Sequence, residues 1–205
     1  VRVPDPPLLL ITDRRQAAAP LAEILAAAFA AGCRWASLRE KDLPAAGQVA
    51  LAESLLPLAR RSGAVLTLHG PPELALAAGL DGVHLPDGSD VAAARAMLGP
   101  DALIGFSVHR PVRVDAAADY AVAAPVHPTL SKPGYGPALG LAGLTAIISA
   151  AGCPVIALGG VGSQEIPGCR ESGAAGVAVM GGVMRAADPA GETRAMLAAL
   201  AQRPR

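Results

Sequence analysis

Residues 154–182 read PVIALGGVGSQEIPGCRESGAAGVAVMGG. Two apolar runs, PVIALGG and GVAVMGG, flank a segment (163–173) of helical composition that stops at Gly173. Short apolar runs bounded by glycine read as strands buried on both faces, and strand–helix–strand is the unit of a parallel sheet. Outward from this unit the alternation continues to both ends. Strands are expected at 8–13, 35–40, 64–69, 82–85, 103–108, 120–126, 154–160 and 176–182. Helices are expected at 18–31, 44–62, 71–79, 90–98, 140–151, 163–173 and 188–202, several stopping at a glycine such as Gly32, Gly63, Gly79, Gly99 or Gly152. The stretch 111–118, PVRVDAAA, is too short for a full crossover helix. Eight repeats predict an α/β fold: a single-domain (β/α)8 TIM barrel over residues 1–205, compact, with a short fifth crossover. The alternative is an open doubly wound sheet. Against it, ITDRRQ rather than G-x-G-x-x-G follows the first strand.

Hydrophobic residues make up 52% of the chain and aromatics 2%, so the core must be built from Ala, Val, Leu and Ile. The formal net charge is zero, which argues against a nucleic-acid partner and against a polybasic membrane anchor. Cys33, Cys153 and Cys169 are widely spaced, with no C-x-x-C, and read as free thiols in a reducing compartment. The first apolar run is too short for a signal sequence and is closed by Asp13. No run of 18 apolar residues occurs, and a cytoplasmic location is expected.

In a barrel of this kind the chemistry sits at the C-terminal ends of the strands. The polar residues expected there are Asp13; Arg39, Glu40 and Lys41; His69; His84 and Asp87; Ser107 and His109; and His127, Thr129, Ser131 and Lys132. All four histidines and both lysines of the chain fall on this rim. Arg39 and Lys41 are two apart and share a face of the second strand, so two cations point into the mouth. Gly159-Gly160 and Gly181-Gly182 close the last two strands. A backbone without Cβ atoms lets N–H groups approach an anion, and a following helix N-terminus would add partial positive charge, so phosphate is the expected ligand. Four histidines raise zinc, but no H-x-H or H-x-x-x-H occurs and none is assigned; His84, within GVHLP, reads as a core residue. Neither a G-x-S-x-G elbow nor a P-loop is present.

The ordered motifs TD (12–13), LREK (38–41), DGVHLP (81–86), IGFSVH (104–109), DYAVAAPVHPTLSK (119–132), IALGGV (156–161) and AVMGG (178–182) resemble the thiamin phosphate synthase/TenI superfamily over nearly the whole chain. The resemblance implies a barrel that binds a thiazole phosphate, with a loop closing over the substrate. Thr129, Ser131 and Lys132 would meet phosphate groups there, with Gly134 and Gly136 as hinges.

The sequence departs from the synthase pattern at three places. Ser37 stands where a Gln is expected, and His69-Gly70 where an Asn-Asp pair would hold diphosphate and Mg²⁺. Asp90 is one place out of register for a second Mg²⁺ ligand, with Asp87 nearby. TenI-type thiazole tautomerases also lack the Asn-Asp pair, and carry a run like Gly88-Ser89. The resemblance therefore leads to an expectation of tautomerase-like proton transfer without a cofactor. His127 would be the acid–base group, two places beyond the family's position, with His69 and His109 as substitutes. Arg39, Lys41, Ser107 and the glycine pairs would bind substrate. A thiamin phosphate synthase, with Asp87 or Asp90 holding Mg²⁺, is the first alternative; a non-catalytic phosphate-binding regulator is the second. The expected partner is a small thiazole phosphate, and the Ala-rich helices would suit a homodimer.

Overall fold

The computed structural model describes residues 3–114, 116–129 and 137–202. Eight strands form one closed, all-parallel barrel in sequential order: β1 Leu8–Ile11, β2 Trp35–Leu38, β3 Val65–Leu68, β4 Gly82–Leu85, β5 Leu103–Val108, β6 Tyr120–Ala123, β7 Val155–Leu158 and β8 Gly176–Val179. The connecting helices are α1 Leu21–Ala30, α2 Ala45–Arg61, α3 Pro72–Ala77, α4 Val91–Leu98, α5 Gly140–Ala151 and α6 Ile166–Glu171. After β8 come a single turn, α7 Gly181–Met184, and the closing helix α8 Pro189–Ala201. Between β5 and β6 the described residues hold no helix, as the short 111–118 segment predicts.

Local signals set the helix ends. Asp90 caps α4 by accepting from the Ala93 N–H at 2.9 Å, and Gly99 ends it at φ +87°. Asp188 caps α8 through the Gly191 N–H, also at 2.9 Å. Where α4 meets the helix-free crossover, Arg95 takes over the role of a packing helix. Its guanidinium donates to the carbonyls of Ala102 and Ala117 and to Asp119, whose carboxylate accepts the Ile104 N–H.

Six of the eight strands are shorter than their expected runs. The run 120–126 pairs only through Ala123, because Pro125 has no N–H to give the ladder. Along each strand, alternate residues divide into two cores. Leu9, Ile11, Trp35, Tyr120, Val122, Ile156 and Ala178 pack inside the barrel. A larger layer, including Leu38, Leu66, Val83, Ile104 and Ile147, lies between barrel and helices. Each fully buried Leu, Ile or Val contributes about 1.5–3 kcal/mol. Trp35 and Tyr120 meet edge to face, with ring centroids 4.8 Å apart, and plug the interior below the mouth. No described helix is long and apolar enough to cross a membrane.

Candidate functional site

Above that plug a cavity of about 630 Å³ opens at the C-terminal ends of the strands. The alternation that puts Trp35 inside carries on through Ser37 to Arg39 and Lys41, so both cations line it. Glu40 points the other way and is buried. It accepts the Thr12 hydroxyl at 2.6 Å and the Arg14 N–H at 3.1 Å. Burial pushes the Glu40 carboxyl up, and the hydrogen bonds from Thr12 and Arg14 oppose that. Thr12 Oγ1 in turn accepts the Arg39 N–H at 3.0 Å, so this buried carboxylate fixes the backbone that presents Arg39. The Lys41 ammonium is held below its ordinary range, first by partial burial and then by the charge of Arg39.

The imidazoles come from β3, next to β2, and from β5. His69 and His109 line the cavity, as do Ser107, Thr129, Asp87 and all four glycines 159, 160, 181 and 182. His84 does not; it lies one layer down. Its Nε2 meets Ser107 Oγ at 3.0 Å and its Nδ1 meets the Tyr120 hydroxyl at 3.3 Å. Burial first, and Lys41 second, push the His84 pKa down to about 3, so the ring is neutral and serves to orient Ser107. His69 lies over it, with centroids 4.4 Å apart. His109 Nδ1 donates to the Ala124 carbonyl at 2.7 Å, which fixes the orientation of the ring.

His127 is elsewhere. It does not line the cavity; its Nε2 is buried without a hydrogen-bond partner among the described residues. A Cβ built on Gly160 would sit 2.8 Å from the His127 Cβ, which puts that side chain behind the glycine. The alternation that turns Tyr120 and Val122 inward reaches 124 and 126 rather than 127, and β6 itself ends at Ala123. Ser131 and Lys132 lie outside the described residues, as do Gly134 and Gly136. Asp13 caps the turn after β1, accepting the Arg15 N–H, and is not a lining residue.

The glycines differ from expectation in detail. Gly159 has φ +98° and Gly160 φ +61°, and a Cβ on Gly159 would sit 2.8 Å from the Pro125 backbone. Both are needed for the close approach of the 125–128 segment. No helix begins directly after them: α6 starts at Ile166, and the Gly162 N–H is taken by Glu165 at 2.9 Å. Gly181 and Gly182 open the four-residue α7 instead of closing β8. What the four offer a ligand is bare backbone.

Sequence reasoning missed one lining residue. Arg185, at the end of α7, lines the cavity beside Gly181. With Arg39 and Lys41 it makes three cations among the described lining residues, against one carboxylate, Asp87, which Arg110 approaches at 3.6 Å. The mouth is thus strongly positive in a chain of zero net charge, and suits a small polyanion.

For Mg²⁺ the donor set does not fit. Asp90 is occupied as the α4 cap and Asp87 is paired, while His69-Gly70 has no side-chain oxygen to set against them. Among the described residues no three His, Cys, Asp or Glu side chains gather as a metal site would require.

A family model described as thiamine monophosphate synthase matches residues 8–183. A thiamine-phosphate synthase of Salinispora arenicola is 40% identical, covering 94% of this chain and 96% of that protein. One from Roseiflexus is 37% identical, covering 94% and 84%. The solved thiamine phosphate pyrophosphorylase of Pyrococcus furiosus superposes with a TM-score of 0.79 at 28% identity, covering 94% of both chains.

Proposed function

The chain belongs to the thiamine monophosphate synthase family, and from that premise we propose that it is a transferase joining an activated pyrimidine to a thiazole phosphate. The relatives' names support this reading over the tautomerase suggested by the substitutions at positions 69 and 70. The observation that carries it is the cationic mouth of Arg39, Lys41 and Arg185.

Diphosphate departs from the methylene carbon of the pyrimidine, and the thiazole nitrogen donates its lone pair to form the new C–N bond. Negative charge grows on the leaving oxygens. Arg39 and Lys41, the latter already partly desolvated, stabilise it more in the transition state than in the ground state. Ser107, fixed by neutral His84, and His109, fixed by the Ala124 carbonyl, orient the two rings. The bare backbone at Gly159, Gly160, Gly181 and Gly182 lets the thiazole's phosphate come close, and Thr129 adds a hydroxyl. Ser131 and Lys132 belong to the same role by position in the sequence. The carboxylates among the described residues do not form a cage for Mg²⁺, so the charge on the leaving diphosphate falls to Arg39 and Lys41.

The experiment is an assay of diphosphate release from the pyrimidine substrate, run with and without thiazole phosphate and with and without Mg²⁺. Release that requires thiazole phosphate and yields thiamine phosphate supports the proposal. A second reading, proton transfer on a thiazole carboxylate phosphate, is favoured by His69-Gly70. There His109, which lines the cavity, is a better acid–base group than His127. Isomerisation without diphosphate release would replace the first reading by the second.

A further inference from the structure

Most arginines with a defined role in this molecule are matched by a carboxylate or by carbonyls. Arg14 pairs with Asp42, Arg60 with Asp81, Arg95 with Asp119 and Arg194 with Asp188. Arg34 and Arg170 each donate to two backbone carbonyls. Arg185 differs. Its guanidinium donates to the neutral amide oxygen of Gln16, whose own Nε2 donates to Asp13 at 2.6 Å. No carboxylate among the described residues lies within ion-pair distance of it. Asp188 and Glu192 share the adjoining hollow of about 430 Å³, but Asp188 is engaged by Arg194 and by the Gly191 N–H.

The position of this cation is built. A Cβ on Gly181 would lie 2.6 Å from Arg185 Cζ, so the guanidinium occupies the space that a side chain there would take. It rests on bare backbone at the rim, facing both the main cavity and the adjoining hollow. A planar fork held by a neutral partner beside exposed backbone is arranged to exchange that partner for a phosphate, which it can bind through two parallel N–H bonds.

We propose that Arg185 is the residue that selects a phosphorylated ligand: the terminal phosphate displaces Gln16 from the guanidinium and is held by it at the rim, beside Gly181 and Gly182. This rests on the reading that the cavity takes a thiazole phosphate, and it assigns the phosphate end to the β8 rim. Arg39 and Lys41 are left for the second anion.

The test is titration calorimetry of the full chain with thiazole phosphate and with the corresponding dephosphorylated alcohol, on the wild type, Arg185→Gln and Arg185→Lys. Thermal melts establish that each variant folds. The expected result is at least a tenfold loss of affinity for the phosphate in Arg185→Gln, no change for the alcohol, and only partial recovery in Arg185→Lys. In turnover the loss is read chiefly as a raised KM for thiazole phosphate. Equal phosphate affinity in Arg185→Gln and wild type overturns the inference while the thiazole reading stands. A wild type that binds neither compound overturns both.

Discussion

His84 Nε2 lies 3.0 Å from Ser107 Oγ, and the other face of this contact is the Tyr120 hydroxyl. The ring is 1% exposed and its pKa is pushed down to about 3 from an ordinary 6.5. A base whose folded pKa lies below its unfolded one makes the fold proton-averse. His84 therefore contributes full stability above about pH 6.5, and that contribution drains away as the pH falls toward 3. The slope within this window is at most about 1.4 kcal/mol per pH unit. Urea unfolding at pH 7 and pH 5 should show this loss, and His84→Gln should flatten the dependence while lowering stability at pH 7.

Among the described residues no carboxylate pairs with Arg39 in the cavity that it lines, so its charge is available to a diphosphate. Arg39→Gln should weaken binding of inorganic diphosphate about tenfold, equivalent to about 1.4 kcal/mol. The wild-type affinity should fall with added salt more steeply than that of the variant. Calorimetry at two ionic strengths reads both effects.

Thr12 joins two buried bonds, donating to Glu40 and accepting from the Arg39 N–H. Thr12→Val keeps the shape but removes the hydroxyl bond to a carboxylate that is only 3% exposed, leaving it the Arg14 N–H. A loss of about 1–3 kcal/mol is expected in chemical denaturation. Diphosphate affinity should fall as well, because the backbone under Arg39 is no longer held.

Gly105 pairs across the sheet with Tyr120, and a Cβ at that position would enter the phenol ring. Gly105→Ala should therefore cost about 1–3 kcal/mol through overpacking, since neither strand can retreat within a closed barrel. It should also disturb His84, which the Tyr120 hydroxyl helps to hold, and so lower kcat. A double variant with Tyr120→Phe should recover neither loss, because the ring remains.

The barrel was legible because strands buried on both faces leave unbroken apolar runs; 82–85 and 103–108 match β4 and β5 residue for residue. Elsewhere the runs extend past the ladder, since Pro125 and the rim glycines are apolar in composition yet cannot continue the pairing. The same limit governs the site. Arg39 and Lys41 lie close enough to the end of β2 for strand alternation to aim them, whereas His127 lies four residues beyond β6 and alternation says nothing about it. Arg185 left no pattern to read. It ends a single helical turn too short for periodicity, and its place depends on the missing side chain of Gly181.

The distribution of charge around the mouth bears on how ligands arrive. A chain with equal numbers of acidic and basic residues exerts little pull at long range, but three cations focused at one end of a low-dielectric cylinder give it a polarity. Approaching anions would be turned toward the open rim before contact, and collisions with the flanks would be unproductive without being adhesive. Encounter rates should accordingly be sensitive to ionic strength even though the molecule as a whole is uncharged.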